Sequence, residues 1–144
     1  AFMREHGDEP LRRALAAYMA VTPSWDRDAV LDAMTRRFSI ARDWAVFFER
    51  YPVLLLPNSW ERQFPIDEDQ VSDARVQQIL LAQSPLLSTA VLGLPGLSVP
   101  TGLSDGLPTG VQVVATKFRE DRLLAAGEVI ERAAGFSALE HLAP

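Results

Sequence analysis

The chain has 144 residues, 48% of them hydrophobic and 23% charged, enough apolar material for a buried core and too much for wholesale disorder. A formal charge of -5 supplies no basic field, and the arginines are scattered among acids, so no nucleic-acid partner is expected. With no cysteine and only His6 and His141, disulfides, thiolate chemistry and a histidine-rich metal site are excluded, no cofactor is implied, and a reducing cytoplasm fits.

In chain order, the N-terminus begins on alanine without an apolar signal core and reads as a cut end. Asp8 or Gly7 then caps a first helix, with Pro10 in its first turn and Leu11, Ala14, Leu15, Tyr18 and Met19 on one face. Ser24 is expected to cap a long helix from about Trp25 to Arg50. Its inward stripe is expected to run through Val30, Met34, Phe38 with Arg37 beside it, Ala41, Trp44, Ala45 and Phe48, with most of its charges forming a solvated face.

Val53 to Leu56, a continuous apolar run between Pro52 and Pro57, reads as a strand covered on both faces at the centre of a sheet. Asn58 to Asp69 reads as an ordered loop near a pocket, and Asp69 to Gln83 as another helix. Ser84-Pro85 starts a short helix that Gly93 ends. Two strands come next, at Leu97–Val99 and Gly110–Thr116, and then a helix begins at Glu120 and Asp121 and closes at Gly135. Leu123, Leu124, Gly127, Ile130, part of Glu131 and Ala134 form its expected face. The charge-free run from Val76 to Ser104 is long enough to span a membrane but is broken by prolines and glycines, so it reads as buried core and no membrane partner is expected. The order of elements predicts one α/β domain, a mixed β-sheet flanked by helices over residues 1–144.

Gly102-Leu103-Ser104-Asp105-Gly106 has the spacing of a hydrolase nucleophile turn, G-x-S-x-G. Such an elbow needs a helix after the serine to supply oxyanion donors, whereas the residues after Gly106 are β-rich. Asp105-Gly106 between apolar strands reads instead as a hairpin bend. A triad of Ser104, Asp121 or Glu128, and His141 is possible in chain order, but His141 lies close to the C-terminus, where holding an imidazole in register is difficult. No catalytic residue is assigned to this chain on these grounds.

Three blocks together carry a family likeness: GLPGLSVPTG from Gly93, GLPTGVQVV from Gly106, and FREDRLL from Phe118. In this order they resemble the C-terminal part of amidase signature enzymes. Tyr51 to Pro57 resembles the strand ending in proline upstream of them, with Pro52 where aspartate is common and Asn58 where threonine is common. The likeness covers about Asp26 to Gly135.

The resemblance implies cleavage of a carboxamide by a serine nucleophile, a second serine and a lysine that relays protons, with backbone donors holding the oxyanion. Those residues belong to a glycine- and serine-rich segment upstream, and no such run occurs here. The single lysine, Lys117, matches no catalytic position. The chain is therefore expected to be an inactive C-terminal fragment whose partner is the N-terminal part of the same enzyme. It is expected to form a homo-oligomer when isolated, because its sheet edges and apolar faces lose their cover. By the same resemblance, Asn58, Ser59 and Trp60 are the substrate-contact candidates. The alternative is a non-catalytic interaction module on the same scaffold.

Overall fold

In a computed structural model describing residues 2–141, the chain forms helices around a three-stranded antiparallel sheet of order β1-β3-β2. The elements are α1 (Phe2–His6), α2 (Glu9–Val21), α3 (Arg27–Arg50), β1 (Leu54–Pro57), α4 (Asp73–Ala82), α5 (Ser84–Leu92), β2 (Gly96–Ser104), β3 (Leu107–Val114) and α6 (Glu120–Ala134). Short 3-10 turns lie at Glu68–Gln70 and Ala138–His141. The class is α/β, as expected from the sequence.

Local signals set most boundaries. Asp8 accepts from the Leu11 amide at 2.9 Å and caps α2, with Pro10 in the first turn. Gly93 and Gly135 end α5 and α6 in the left-handed conformation, at φ +67° and +60°. Asp105 and Gly106 both have positive φ, 52° and 78°, which is the backbone a two-residue hairpin turn requires. The Ser104–Leu107 pair closes the ladder around that turn. One extra residue between Pro100 and Gly102 makes a bulge in β2.

The core lies between the sheet and α6. Val99, Val113 and Ala115 pack on Leu123, with Leu97, Val111, Ala126 and Ile130 around them. Gly127 lets the helix close on β2, for a Cβ there stands 2.5 Å from Leu97 Cδ2. Leu124 is exposed, as are Glu131 and Ala134, so the buried face of α6 is narrower than expected and takes in Ala126 instead. The opposite sheet face carries Gln112 and Val114 toward α5, and Gln112 Nε2 donates to Thr89 Oγ1 at 3.2 Å.

Three other expectations are corrected. The cap of α3 is Asp26, which accepts from the Ala29 amide at 2.8 Å, and not Ser24. Its inward stripe is rotated: Ala33, Arg37, Ala41, Trp44 and Phe48 are buried or half-buried, whereas Val30, Met34, Phe38 and Ala45 are exposed. An amphipathic pattern gives a face only when another element covers it, and the N-terminal half of α3 is uncovered in this chain. Finally, β1 is an edge strand, with Leu55 57% exposed, because β3 takes the central place.

The region between β1 and α5 is the scaffold of the loop after β1. The helix expected over Asp69–Gln83 begins later, with the Ser72 hydroxyl accepting from the Arg75 amide, and Glu68–Gln70 forms a separate turn. Helix α2 packs on α4 and this turn, and Arg13 Nε donates to Gln70 Oε1 at 2.9 Å. Burial, with the charge of Asp69, pushes the Tyr18 hydroxyl above its usual pKa. Trp44, Phe47, Phe48 and Tyr51 form an aromatic cluster at the end of α3, with ring centroids 5.0–5.7 Å apart.

Candidate active-site cleft

Strand β1 ends at Pro57, paired with Val111, so the chain leaves the sheet beside Gly110 and Thr109 and enters the loop expected near a pocket. That loop is tied down at both ends of its turn. The Trp60 amide donates to the Ala82 carbonyl at 2.8 Å, and the Ser59 hydroxyl donates to the same oxygen at 3.3 Å while accepting from the Glu61 amide at 3.2 Å. The Trp60 indole Nε1 donates to Ser84 Oγ at 3.0 Å. Across the sheet, the Ser98 hydroxyl donates to Asn58 Oδ1 at 3.1 Å.

Charge pairs hold the rest of the loop. Arg75 donates to Glu61 at 2.8 Å and to Glu68 at 3.0 Å. The Glu68 bond, then the Glu61 bond, raises the guanidinium further above its ordinary pKa. Arg62 pairs with Asp105 at the hairpin tip, and Gln63 donates to the Pro108 carbonyl. These contacts pin the loop against α4, α5 and the β2–β3 hairpin.

The result is a cleft of about 600 Å3. Asn58, Ser59 and Trp60, the three residues singled out from the sequence, all line it together. The structure adds Gln83, Thr109 and Gly110 from the opposite wall, with Gln63 and Phe64 at the loop. Sequence reasoning placed Gln63 and Phe64 in a loop near a pocket but assigned none of Gln83, Thr109 and Gly110 to the site. The available signal was the second GLP block, whose Thr109-Gly110 comes beside Asn58 only through the β1–β3 register. Gly110 is required there by space, for a Cβ would lie 2.6 Å from the Val99 carbonyl oxygen.

Of the candidate Ser104 triad, the serine and both acids are engaged separately. Ser104 sits at the hairpin, Asp121 is held by Arg119 through two bonds of 2.8 Å, and Glu128 pairs with Arg132. The Arg119 guanidinium holds the Asp121 carboxyl down at about 2. The His141 side chain lies outside the described residues. Lys117 lines a separate opening with Gly93, Leu94 and Pro95, which shares no residue with the cleft. Among the described residues, no three or more His, Asp or Glu side chains are grouped to hold a metal ion.

The cleft lies between a sheet edge, two helices and a pinned loop, with Trp60 among its lining residues in an α/β scaffold. The family described as Amidase matches residues 3–124, and the chain belongs to that family. It is 41% identical over 111 residues to an indoleacetamide hydrolase of Bradyrhizobium japonicum, a match that covers 76% of this chain and 24% of the relative. A glutamyl-tRNA(Gln) amidotransferase subunit from Rhodospirillum rubrum is 37% identical over 132 residues, covering 91% of this chain and 26% of the relative. The crystal structure of the corresponding subunit from Thermotoga maritima superposes with a TM-score of 0.58 at 28% identity, over 88% of this chain and 26% of that one. The chain thus spans about a quarter of the length of the relatives it matches. The match begins upstream of the likeness read from the motifs and takes in α2.

Proposed function

We propose that this chain is the C-terminal part of an amidohydrolase that cleaves the C–N bond of a small-molecule carboxamide, with the Ser-Ser-Lys residues supplied by the N-terminal part of the same enzyme. The observation that carries this reading is the cleft itself, which gathers Asn58, Ser59 and Trp60 but includes no lysine. In such chemistry the lysine and middle serine take the proton of the nucleophilic serine, its oxygen adds to the amide carbonyl, the amine leaves with that proton returned to it, and water then cleaves the acyl-serine ester to release the acid and free the serine. This chain forms one wall of the pocket. Asn58 Oδ1 is committed to Ser98, so its amide hydrogens are the donors available to a substrate carbonyl. Alone, the chain is inactive.

The test is ammonia release from a panel of carboxamides, measured for the isolated chain and for the polypeptide in which it is joined to its upstream segment. Turnover is expected only in the second. Hydrolysis by the chain alone, or by neither, would overturn the reading. The cytoplasm is the compartment we assign, on the cysteine-free composition. Among the described residues no helix is long and apolar enough to cross a membrane.

A second reading, a non-catalytic interaction module, draws on the exposed side chains of Val30, Met34 and Phe38 on α3 and of Leu55 on the β1 edge. On either reading we propose that the isolated chain self-associates through these surfaces. Light scattering at micromolar concentration is expected to give a mass above the 15.9 kDa of one chain, and a monomer would refute the proposal.

A further inference from the structure

Two of the residues lining the cleft are ionisable, Glu61 and Arg62, and each is paired with a residue that does not line it. Arg62 is joined to Asp105 at the hairpin tip, and Glu61 to Arg75 on α4. The two pairs differ in how well water reaches them. The side chains of Arg62 and Asp105 are 68% and 75% exposed, so their attraction is screened and weak. The Arg75 side chain is only 21% exposed and stands between two carboxylates.

Local structure explains this placement. The Ser72 hydroxyl caps α4 through the Arg75 amide at 3.2 Å, which sets Arg75 in the first turn of the helix. From there Nη1 donates to Glu61 Oε2 at 2.8 Å and Nη2 to Glu68 Oε2 at 3.0 Å, so separate nitrogens of one rigid fork hold two points of the loop after β1. Glu61 follows Asn58, Ser59 and Trp60 directly, and its amide donates to the Ser59 hydroxyl. Its carboxylate therefore belongs to the same wall as those three residues, and Arg75 offsets its charge from outside the cleft.

We propose that Arg75 is a specificity-determining residue that acts through Glu61: by binding this carboxylate it withholds from the cleft a preference for cationic amides. The proposal rests on the amidohydrolase reading above and adds a residue outside the cleft that sets its charge selectivity. An unpaired carboxylate in the wall would attract a cationic group of the substrate and repel an anionic one across the same few ångströms. Bound to Arg75, the same carboxylate does little of either.

The experiment uses the full-length polypeptide that contains this chain and compares kcat/KM, by ammonia release at low salt, for 4-aminobutanamide, butanamide and succinamate. At pH 7 the first is a cation, the second neutral and the third an anion. In Arg75→Gln the ratio of the cationic to the anionic amide is expected to rise by about fivefold or more, with butanamide between them. In Glu61→Gln/Arg75→Gln the ratio is expected to return to within about twofold of the unmutated value, because the unmasked charge is gone. Should Arg75→Gln not fold, Arg75→Gln/Glu68→Gln removes the repulsion between the two carboxylates, leaves Glu61 charged, and is expected to show the same rise. A clamp that served only to hold the loop would lower all three amides together. An unchanged ratio in a variant that still hydrolyses them, or a rise that persists without Glu61, would overturn the proposal alone. Failure of the unmutated enzyme to hydrolyse any of the three amides would overturn the amidohydrolase reading, and the proposal with it.

Discussion

The indole nitrogen of Trp60 donates to the Ser84 hydroxyl across 3.0 Å, and this one bond fastens the loop after β1 to the first turn of α5. It joins residues 24 apart in sequence, and Trp60 lines both the cleft and a smaller cavity beside α5. Trp60→Phe and Ser84→Ala are each expected to destabilise by about 0.5–1.5 kcal/mol, the ordinary net worth of such a bond. Urea unfolding of the two single variants and the double variant checks this. The double variant is expected to lose less than the sum of the singles, and full additivity would show that the bond does not form in solution.

Ser104 is a turn residue, and its replacement is expected to show it. Ser104→Ala should change stability by less than about 0.5 kcal/mol and leave any amide hydrolysis by the full-length polypeptide intact. Gly106→Ala should cost about 1–2 kcal/mol, since its φ of +78° is strained for a residue with a Cβ even though nothing lies within 4 Å of the added atom. Thermal unfolding of both variants tests the turn, and amide hydrolysis by the full-length Ser104→Ala polypeptide tests the nucleophile.

Two glycines on β3 and α6 are expected to differ in how well they tolerate alanine. At Gly110 a Cβ meets backbone, the Val99 carbonyl oxygen, which cannot move without breaking the β2–β3 ladder. Gly110→Ala should therefore cost about 1–3 kcal/mol and narrow the cleft. At Gly127 the Cβ meets the end of the Leu97 side chain, which can turn aside, and alanine gains about 1 kcal/mol of helix propensity. Gly127→Ala should thus be much the milder change in denaturant unfolding.

The Arg119–Asp121 pair sets a pH dependence at the start of α6. Asp121 titrates at about 2 in the folded chain against an ordinary 3.8, so its contribution is fully present above 3.8 and is lost as the pH falls through about 2. Asp121→Asn is expected to flatten the fall of the thermal midpoint across that window. An equally steep fall in the variant would show that the pair is not formed. The effect will shrink at high salt, because both groups face solvent.

How much of the fold is legible in the sequence depends on the range of the interactions involved. The Asp8 cap, the ends of α5 and α6 at Gly93 and Gly135, and the Asp105-Gly106 turn are decided within a few residues, and the sequence announces each of them. The family is legible for a different reason: its motifs are short runs around β2, β3 and the start of α6. The inward face of α3 is not legible, because Val30, Met34 and Phe38 have helical spacing but stay exposed among the described residues. The same holds for β1, whose apolar run announces a buried strand without saying which strands flank it.

By itself, the sequence determined the elements, most of their caps and turns, and membership in the amidase family, since these depend on local backbone preferences and contiguous motifs. Only the tertiary structure decided that β3 lies between β1 and β2. That order lays Thr109 and Gly110 against Asn58, and the packing of α5 on the sheet sets the Trp60 indole on Ser84. Cleft and cavity are made of contacts between residues far apart in the chain, and such contacts exist only once sheet register and helix packing have brought them together.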